Sequence, residues 1–235
     1  MKLSKDTRLV VLTGAGISAE SGIRTFRDAD GLWEDHRVED IATPKGFRAD
    51  PARVWQFYKA RYQAALAAKP NPAHLALVEL ESWLGANFSL ITQNVDGLHS
   101  AAGSAHPLEM HGSLLRCFCT QCRSGYPLAE IDLETDLPVC PDCGASLRPN
   151  VVWFGEIPYF LEEIANLVEN CDLFLMVGTS GVVYPAAGFV MAARFHGAKT
   201  VAVNLDKTEN QSYIDEFHSG KAGEILPALV REWIT

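Results

Sequence analysis

Two clusters of residues in this sequence have spacings that imply chemistry. The first is a set of cysteines. Cys119 and Cys122 are separated by two residues, as are Cys140 and Cys143, and 17 residues lie between the pairs. Two such knuckles supply paired thiolates, and the spacer lets them close into a tetrahedron, so the pattern predicts one zinc ion. Four thiolates leave no open position, which makes the predicted metal structural. Cys117 sits beside the first pair at a less favourable spacing and is left out of the ligand set; Cys171 reads as a small core residue. The second cluster is RLVVLTGAGISAESGIRTFRD, residues 8–28, where Gly14-x-Gly16-x-x-Ala19 follows an apolar run. There the first glycine permits a tight turn, the second lets backbone approach a pyrophosphate, and the small third residue lets helix pack on strand. Helix N-terminal amides would then face the phosphates. A plain strand-to-helix turn is the alternative reading.

These residues need a frame to hold them. Four apolar or β-branched runs, 9–12, 88–92, 173–177 and 200–204, read as buried parallel strands. Each ends in a polar or glycine-rich turn: Thr13-Gly14-Ala15-Gly16, Gln93-Asn94-Val95-Asp96, Gly178-Thr179-Ser180-Gly181 and Asn204-Leu205-Asp206. Ligands of open α/β sheets bind beyond the carboxyl ends of the strands, so four such ends predict one long crevice. Helices are expected over 51–68, 71–84, 161–168, 186–195 and 224–233. The predicted fold class is α/β, a Rossmann-like parallel sheet with helices on both faces, plus a small zinc ribbon and a helical insert. One domain over 1–235 would be built from a core of 1–29, 85–115 and 150–235, a helical module of 30–84 and a zinc-binding module of 116–149.

One Rossmann expectation is not met. A hydride-transfer site wants an acidic residue at the end of the next strand, about 20 residues on. Glu34 and Asp35 are near that distance, but Asp30-Gly31-Leu32-Trp33 does not read as a strand end. Asn204 or Asp206 would read the ribose instead, and residues 20–37 read as a covering loop carrying Arg24, Arg27 and Asp28.

Composition narrows the classes. The chain has 235 residues, 48% of them hydrophobic, with 20 Lys and Arg against 29 Asp and Glu, a net charge of −9. An acidic chain is a poor nucleic-acid binder and attracts basic partners such as lysine-rich peptides, although such charge also serves solubility alone. The cysteine insert carries only Arg116, Arg123 and Arg148 as cations, which argues against a nucleic-acid-binding ribbon. The apolar runs are strand-sized, and no leader pattern opens the chain, so the expected location is the cytoplasm with no membrane contact. Five of six cysteines fall between 117 and 143, which in a reducing compartment means metal before disulfides.

In chain order, several segments resemble the motifs of the sirtuin family of NAD-dependent protein deacylases. They are Thr13-Gly14-Ala15-Gly16-Ile17-Ser18, Gly22-Ile23-Arg24-Thr25-Phe26-Arg27, Thr92-Gln93-Asn94-Val95-Asp96-Gly97-Leu98-His99 and His111-Gly112. The cysteine pairs, Val152-Trp153-Phe154-Gly155-Glu156, Gly178-Thr179-Ser180 and Val203-Asn204-Leu205 complete the set, so the resemblance runs from residue 13 to 205. A common family version of the second motif has proline and aspartate where Arg24 and Thr25 stand; the phenylalanine and arginine are kept. The closer resemblance is to the class III subgroup of bacterial and mitochondrial deacylases.

The resemblance implies that NAD is consumed as a co-substrate rather than reduced. The acyl-amide oxygen of a modified lysine attacks the nicotinamide ribose and nicotinamide leaves. His111 then serves as general base on a ribose hydroxyl, and water finally yields free lysine and O-acyl-ADP-ribose. A histidine suits that step because its pKa lies near working pH. His111 and Asn94 are thereby implied as catalytic. Implied cofactor contacts are Gly14, Ala15, Gly16, Ser18, Phe26, Arg27, Gln93, Asn94, Val95 and Asp96, then Gly178, Thr179, Ser180, Asn204, Leu205, Asp206 and Ala222. Asn94 and Asp96 would hold the nicotinamide amide, Phe26 would cover the reacting ribose, and 152–156 would be an edge strand that pairs with the substrate peptide. Without the resemblance, Asn94 and Asp96 read as a routine turn, and His111 or Phe26 as core or capping residues. The partners implied are acyl-lysine proteins or peptides; the acidic charge argues against direct nucleic-acid contact, and the enzyme is expected to be a monomer.

Tyr58 and Arg61 are three apart, so they share a helix face, and Arg presents a planar fork that fits a carboxylate. By spacing alone they read as a solvated pair. At this position in the family they resemble the signature of desuccinylases, and the small Ala42 would give pocket room. That implies succinyl- and malonyl-lysine as substrates beside acetyl-lysine. The rival readings are an NAD(P)-dependent oxidoreductase and a non-catalytic module that binds an NAD metabolite or nucleic acid.

Overall fold

A computed structural model describes residues 1–24, 32–33 and 36–235. Its strands, in chain order, are β1 (Leu9–Thr13), β2 (Leu32–Trp33), β3 (His36–Arg37), β4 (Phe88–Thr92), β5 (Leu108–Glu109), β6 (Gly112–Cys119), β7 (Gly125–Pro127), β8 (Leu147–Val151), β9 (Leu173–Val177), β10 (Lys199–Asn204) and β11 (Glu216–Ser219). Its α-helices are α1 (Val38–Ile41), α2 (Pro44–Ala49), α3 (Pro51–Ala67), α4 (Pro72–Leu84), α5 (Leu98–Ala102), α6 (Leu161–Asn170), α7 (Phe189–Phe195) and α8 (Ala222–Ile234).

Six strands form one wholly parallel sheet in the order β11-β10-β9-β1-β4-β5. Counted by chain position within the sheet, this is the doubly wound Rossmann order. Direction of winding reverses between β1 and β9, so the crevice opens beyond their C-terminal ends. All five residues of β1, and of β9, are buried, because helices cover both faces. On one face Leu9, Val11, Leu175 and Val201 pack against α4 and α8 through Leu77, Leu80, Leu226 and Trp233. On the other, Val10, Leu12, Phe174 and Met176 pack against α6 and α7 through Ile164, Val168 and Val190. The period-2 alternation along β1 thus decides which residue meets which helix layer.

A third core joins the zinc sheet, β7-β6-β8, to α1, α2 and α3. The helix α3 begins at Pro51 after Asp50, whose carboxylate accepts the Arg53 N–H at 3.0 Å. It buries one stripe, Val54, Trp55, Tyr58, Arg61, Tyr62 and Ala65, against this core. The Trp55 indole N–H donates to the Leu147 carbonyl of β8 at 2.9 Å, so helix and zinc sheet are tied directly. The helix α4, grouped by sequence with the 30–84 module, instead packs on the parallel sheet.

Several sequence expectations need correction. The glycine turn opens a 3-10 helix, Ala15–Ser21, rather than an α-helix. Residues 186–195 divide into a 3-10 turn, Ala186–Gly188, and then α7. The edge strand expected over 152–156 does not form: β8 ends at Val151. Gly155 turns the chain at φ 89, the Glu156 N–H donates to the Trp153 carbonyl at 2.9 Å, and the Phe154 N–H donates to Ala42 at 3.0 Å. The outer strands β5 and β11 were not foreseen.

Candidate active site

The crevice is built around a crossing of two glycine loops at the switch point. The Gly14 N–H donates to the Val177 carbonyl at 3.0 Å, and the Gly16 N–H to the Gly178 carbonyl at 2.8 Å. A Cβ at Gly16 would lie 2.7 Å from Gly178 Cα, and one at Gly178 would lie 2.3 Å from the Ile17 nitrogen. Gly178 is also left-handed, with φ 61. The glycines of the first motif are therefore required by the loop after β9.

Beyond β4, the chain places a buried polar relay. The Asn94 side-chain amide donates to Ser18 Oγ at 3.1 Å, and the Ser18 hydroxyl donates to Asp96 Oδ2 at 2.7 Å. The other oxygen of Asp96 accepts the Leu98 N–H at 2.9 Å, closing the turn that leads into α5. Asn94 and Asp96 are both buried. Beneath them, the Thr13 hydroxyl donates to Thr92 Oγ1 at 2.8 Å and lies 2.9 Å from His99 Nε2. Since Thr13 spends its only proton on Thr92, His99 donates to Thr13. Thr92 Oγ1 in turn accepts the Asn94 N–H at 3.0 Å.

His111 precedes β6 and reaches back to β4. Its Nδ1 lies 3.1 Å from the Gln93 carbonyl, which can only accept, so Nδ1 carries the proton and Nε2 keeps a lone pair. Burial pulls the imidazole below its ordinary pKa, and the Gln93 bond offsets part of that. His111 is thus a neutral base at neutral pH.

One cleft of about 370 Å³ joins these groups. Gly14, Ala15, Gly16, Gln93, Asn94, Val95, Asp96 and His111 line it, as do Gly178, Thr179, Ser180 and Asn204. The Gln93 amide donates to Thr179 Oγ1 at 3.0 Å, and the Asn204 amide to the Thr179 carbonyl at 3.0 Å, so three strand ends are tied across the crevice. Ser18 lies behind the lining and acts through Asn94 and Asp96. Leu205 and Asp206 follow β10 outside the lining, and Ala222 starts α8 in the sheet's core. Phe26 and Arg27 lie outside the described residues.

Tyr58, Arg61, Val152, Trp153, Phe154, Gly155 and Glu156 line the same cleft. Tyr58 and Arg61 are buried, at 1% and 8% exposure. Arg61 sits over the Phe57 ring at 5.7 Å, and the Trp153 indole N–H donates to the Tyr58 oxygen at 2.9 Å. Burial raises the Tyr58 pKa, so its hydroxyl stays protonated. Both oxygens of Glu156 accept from Arg148, at 2.7 and 3.0 Å, and one also accepts the Trp153 N–H at 2.9 Å. In the sequence Arg148 stands only as one of three cations of the cysteine insert. Val183, Tyr184 and Pro185 also line the cleft and were missed, because a loop beyond a strand end has no periodicity to betray its direction.

The four predicted ligands gather at the end of the zinc sheet. The sulfurs of Cys119, Cys122, Cys140 and Cys143 all lie within 4.8 Å of one another. A tetrahedron with Zn–S of about 2.3 Å has edges of about 3.8 Å, so this donor set fits one zinc. Backbone N–H groups of Gln121 and Cys122 donate to Cys119 Sγ, each at 3.4 Å, which favours its thiolate form. Cys117 lies outside this group, and its thiol donates to the Tyr126 carbonyl instead. Cys171 is buried, as expected.

Comparison with known proteins supports the same assignment. The model of the Sir2 family matches residues 14–185. The NAD-dependent protein deacylase of Bdellovibrio bacteriovorus is 50% identical over 239 residues, covering 100% of both chains. A Sir2 homologue solved as an NAD complex is 44% identical with a TM-score of 0.88, covering 95% of this chain and 88% of that one. A Sir2 protein bound to acetylated peptide is 33% identical with a TM-score of 0.84, covering 95% and 92%. Half of the residues are thus shared along a full-length relative, on a backbone that follows solved members throughout, and the chain belongs to the Sir2 family.

Proposed function

We propose that this chain, an NAD-dependent protein deacylase of the Sir2 family, removes succinyl and malonyl groups as well as acetyl from lysine side chains. The observation that carries the acidic-acyl reading is the placement of Tyr58 and Arg61. Both are buried on one face of α3 and line the cleft that His111 lines. A planar guanidinium beside a phenol matches a terminal carboxylate bidentately, and an acetyl group forgoes only that ion pair.

The cleft's residues fit a dinucleotide co-substrate. The crossing of Gly14, Gly16 and Gly178 offers close backbone approach for its phosphates, and Asn94 with Asp96 offers a donor and an acceptor for a carboxamide. NAD supplies a glycosidic bond whose cleavage drives the removal of the amide. His111, with its Nε2 lone pair, takes the proton of a ribose hydroxyl, and the Gln93 carbonyl holds the ring in the tautomer that can do so. The products are nicotinamide, free lysine and O-acyl-ADP-ribose. The substrate is a protein or peptide lysine met by the 152–156 segment. We take the enzyme to act as a monomer in the cytoplasm, without binding nucleic acid. Among the described residues no helix is long and apolar enough to cross a membrane.

The test is an assay of acetyl-, succinyl- and malonyl-lysine peptides with NAD, on the wild type and on His111→Tyr. All three peptides are expected to release free lysine with nicotinamide, and His111→Tyr to lose all three activities. Turnover of the acetyl peptide alone would overturn the acidic-acyl reading.

A further inference from the structure

The geometry points to Trp153 as a positioning residue for acyl specificity: its indole N–H fills one acceptor site of the Tyr58 oxygen, so that the tyrosine proton is directed to the carboxylate of an acidic acyl-lysine. This rests on the acidic-acyl reading and deepens it. A phenol oxygen has one proton to give and accepts in the ring plane. With the indole N–H at 2.9 Å on one side, the tyrosine proton takes the other. Among the described residues that hydroxyl donates to no acceptor, and Tyr58 lines the cleft. A hydroxyl able to rotate would also offer its lone pairs to the carboxylate, which repels them.

Trp153 is itself held at three points. Its backbone N–H donates to Glu156 at 2.9 Å. The Arg148 guanidinium lies 3.5 Å over its ring, and the same guanidinium grips Glu156 with two hydrogen bonds. Phe47 packs against the indole, with ring centroids 5.3 Å apart. A cation stacked on the indole polarises its N–H and strengthens that donor. The ion pair of Arg148 and Glu156 thus reaches the acyl pocket through the tryptophan.

The experiment measures kcat/KM for succinyl- and acetyl-lysine peptides with NAD in the wild type, W153F, Y58F and the double variant. W153F is expected to lower the succinyl-to-acetyl ratio about tenfold, the size of one charge-assisted hydrogen bond. In the Y58F background, W153F is expected to leave that ratio unchanged, because its effect passes through the tyrosine oxygen. A ratio loss of equal size with and without the Tyr58 hydroxyl overturns the inference, as does a W153F ratio equal to that of the wild type. If Y58F and Arg61→Met both leave the ratio unaltered, the acidic-acyl reading itself has failed, which is a separate outcome. Should W153F not fold, benzothienylalanine at position 153 keeps the shape, removes only the N–H and reads the same ratio.

Discussion

His111 and Arg61 show how a side chain's surroundings decide its task. The Gln93 carbonyl selects the His111 tautomer, and burial lowers its pKa from 6.5. The neutral form is the base, so lowering the pKa extends the active range toward acid. The acid limb of kcat/KM is expected below pH 6.5, and a limb centred above that value would contradict the assigned environment. Arg61 is buried where an exposed helical arginine is the ordinary expectation. Arg61→Met is expected to lower desuccinylation by about a hundredfold or more, since a buried charged contact is worth about 3 kcal/mol, with a much smaller effect on deacetylation. Equal losses on both peptides would refute the role.

At the scale of elements, the loops after β1 and β9 form one unit. A methyl at Gly178 meets the Ile17 nitrogen at 2.3 Å and is further strained by φ 61. Gly178→Ala is therefore expected to cost about 2–3 kcal/mol in urea unfolding and to weaken NAD binding in calorimetry. Unchanged stability would mean that the loops separate more easily than their packing implies. The β1 glycines were legible in sequence because they follow an apolar run; their contact with Gly178 was not, since it joins residues more than 160 positions apart. The buried strands were legible for the same reason, their continuous apolar character. Outer strands β5 and β11 were not: one has two residues, and the other, Glu216–Ser219, is polar and partly exposed. The strand expected over 152–156 failed because Gly155 and Glu156 turn the chain there. Cysteine spacing carried the metal site outright. Chelation of the ion is expected to release one zinc per chain and unfold the β6–β8 sheet, read by loss of protection in hydrogen exchange.

The whole molecule is a doubly wound sheet whose crevice is walled on one side by a separate core of helices and zinc sheet. Buried histidines link the stability of this assembly to pH. His74 and His99 pack with ring centroids 4.9 Å apart, and burial lowers both pKa values, that of His99 to about 3. Below pH 6.5 the unfolded chain binds protons that the folded one refuses. Their contribution is complete above 6.5 and is lost as pH falls toward the folded values. Between pH 6.5 and 5, above the carboxylate range, stability is expected to fall, by up to about 1.4 kcal/mol per pH unit for His99, with His74 adding in the same direction. Urea midpoints that stay level across that window would show that the pair is solvated or already charged.

The central claim is that the co-substrate is consumed and carries the acyl group away. Mass spectrometry of one reaction, the chain with NAD and a succinyl-lysine peptide, tests it most directly. Nicotinamide, free lysine peptide and O-succinyl-ADP-ribose are expected in equal amounts. Formation of NADH absorbing in the near ultraviolet, or free lysine without nicotinamide release, would contradict the account.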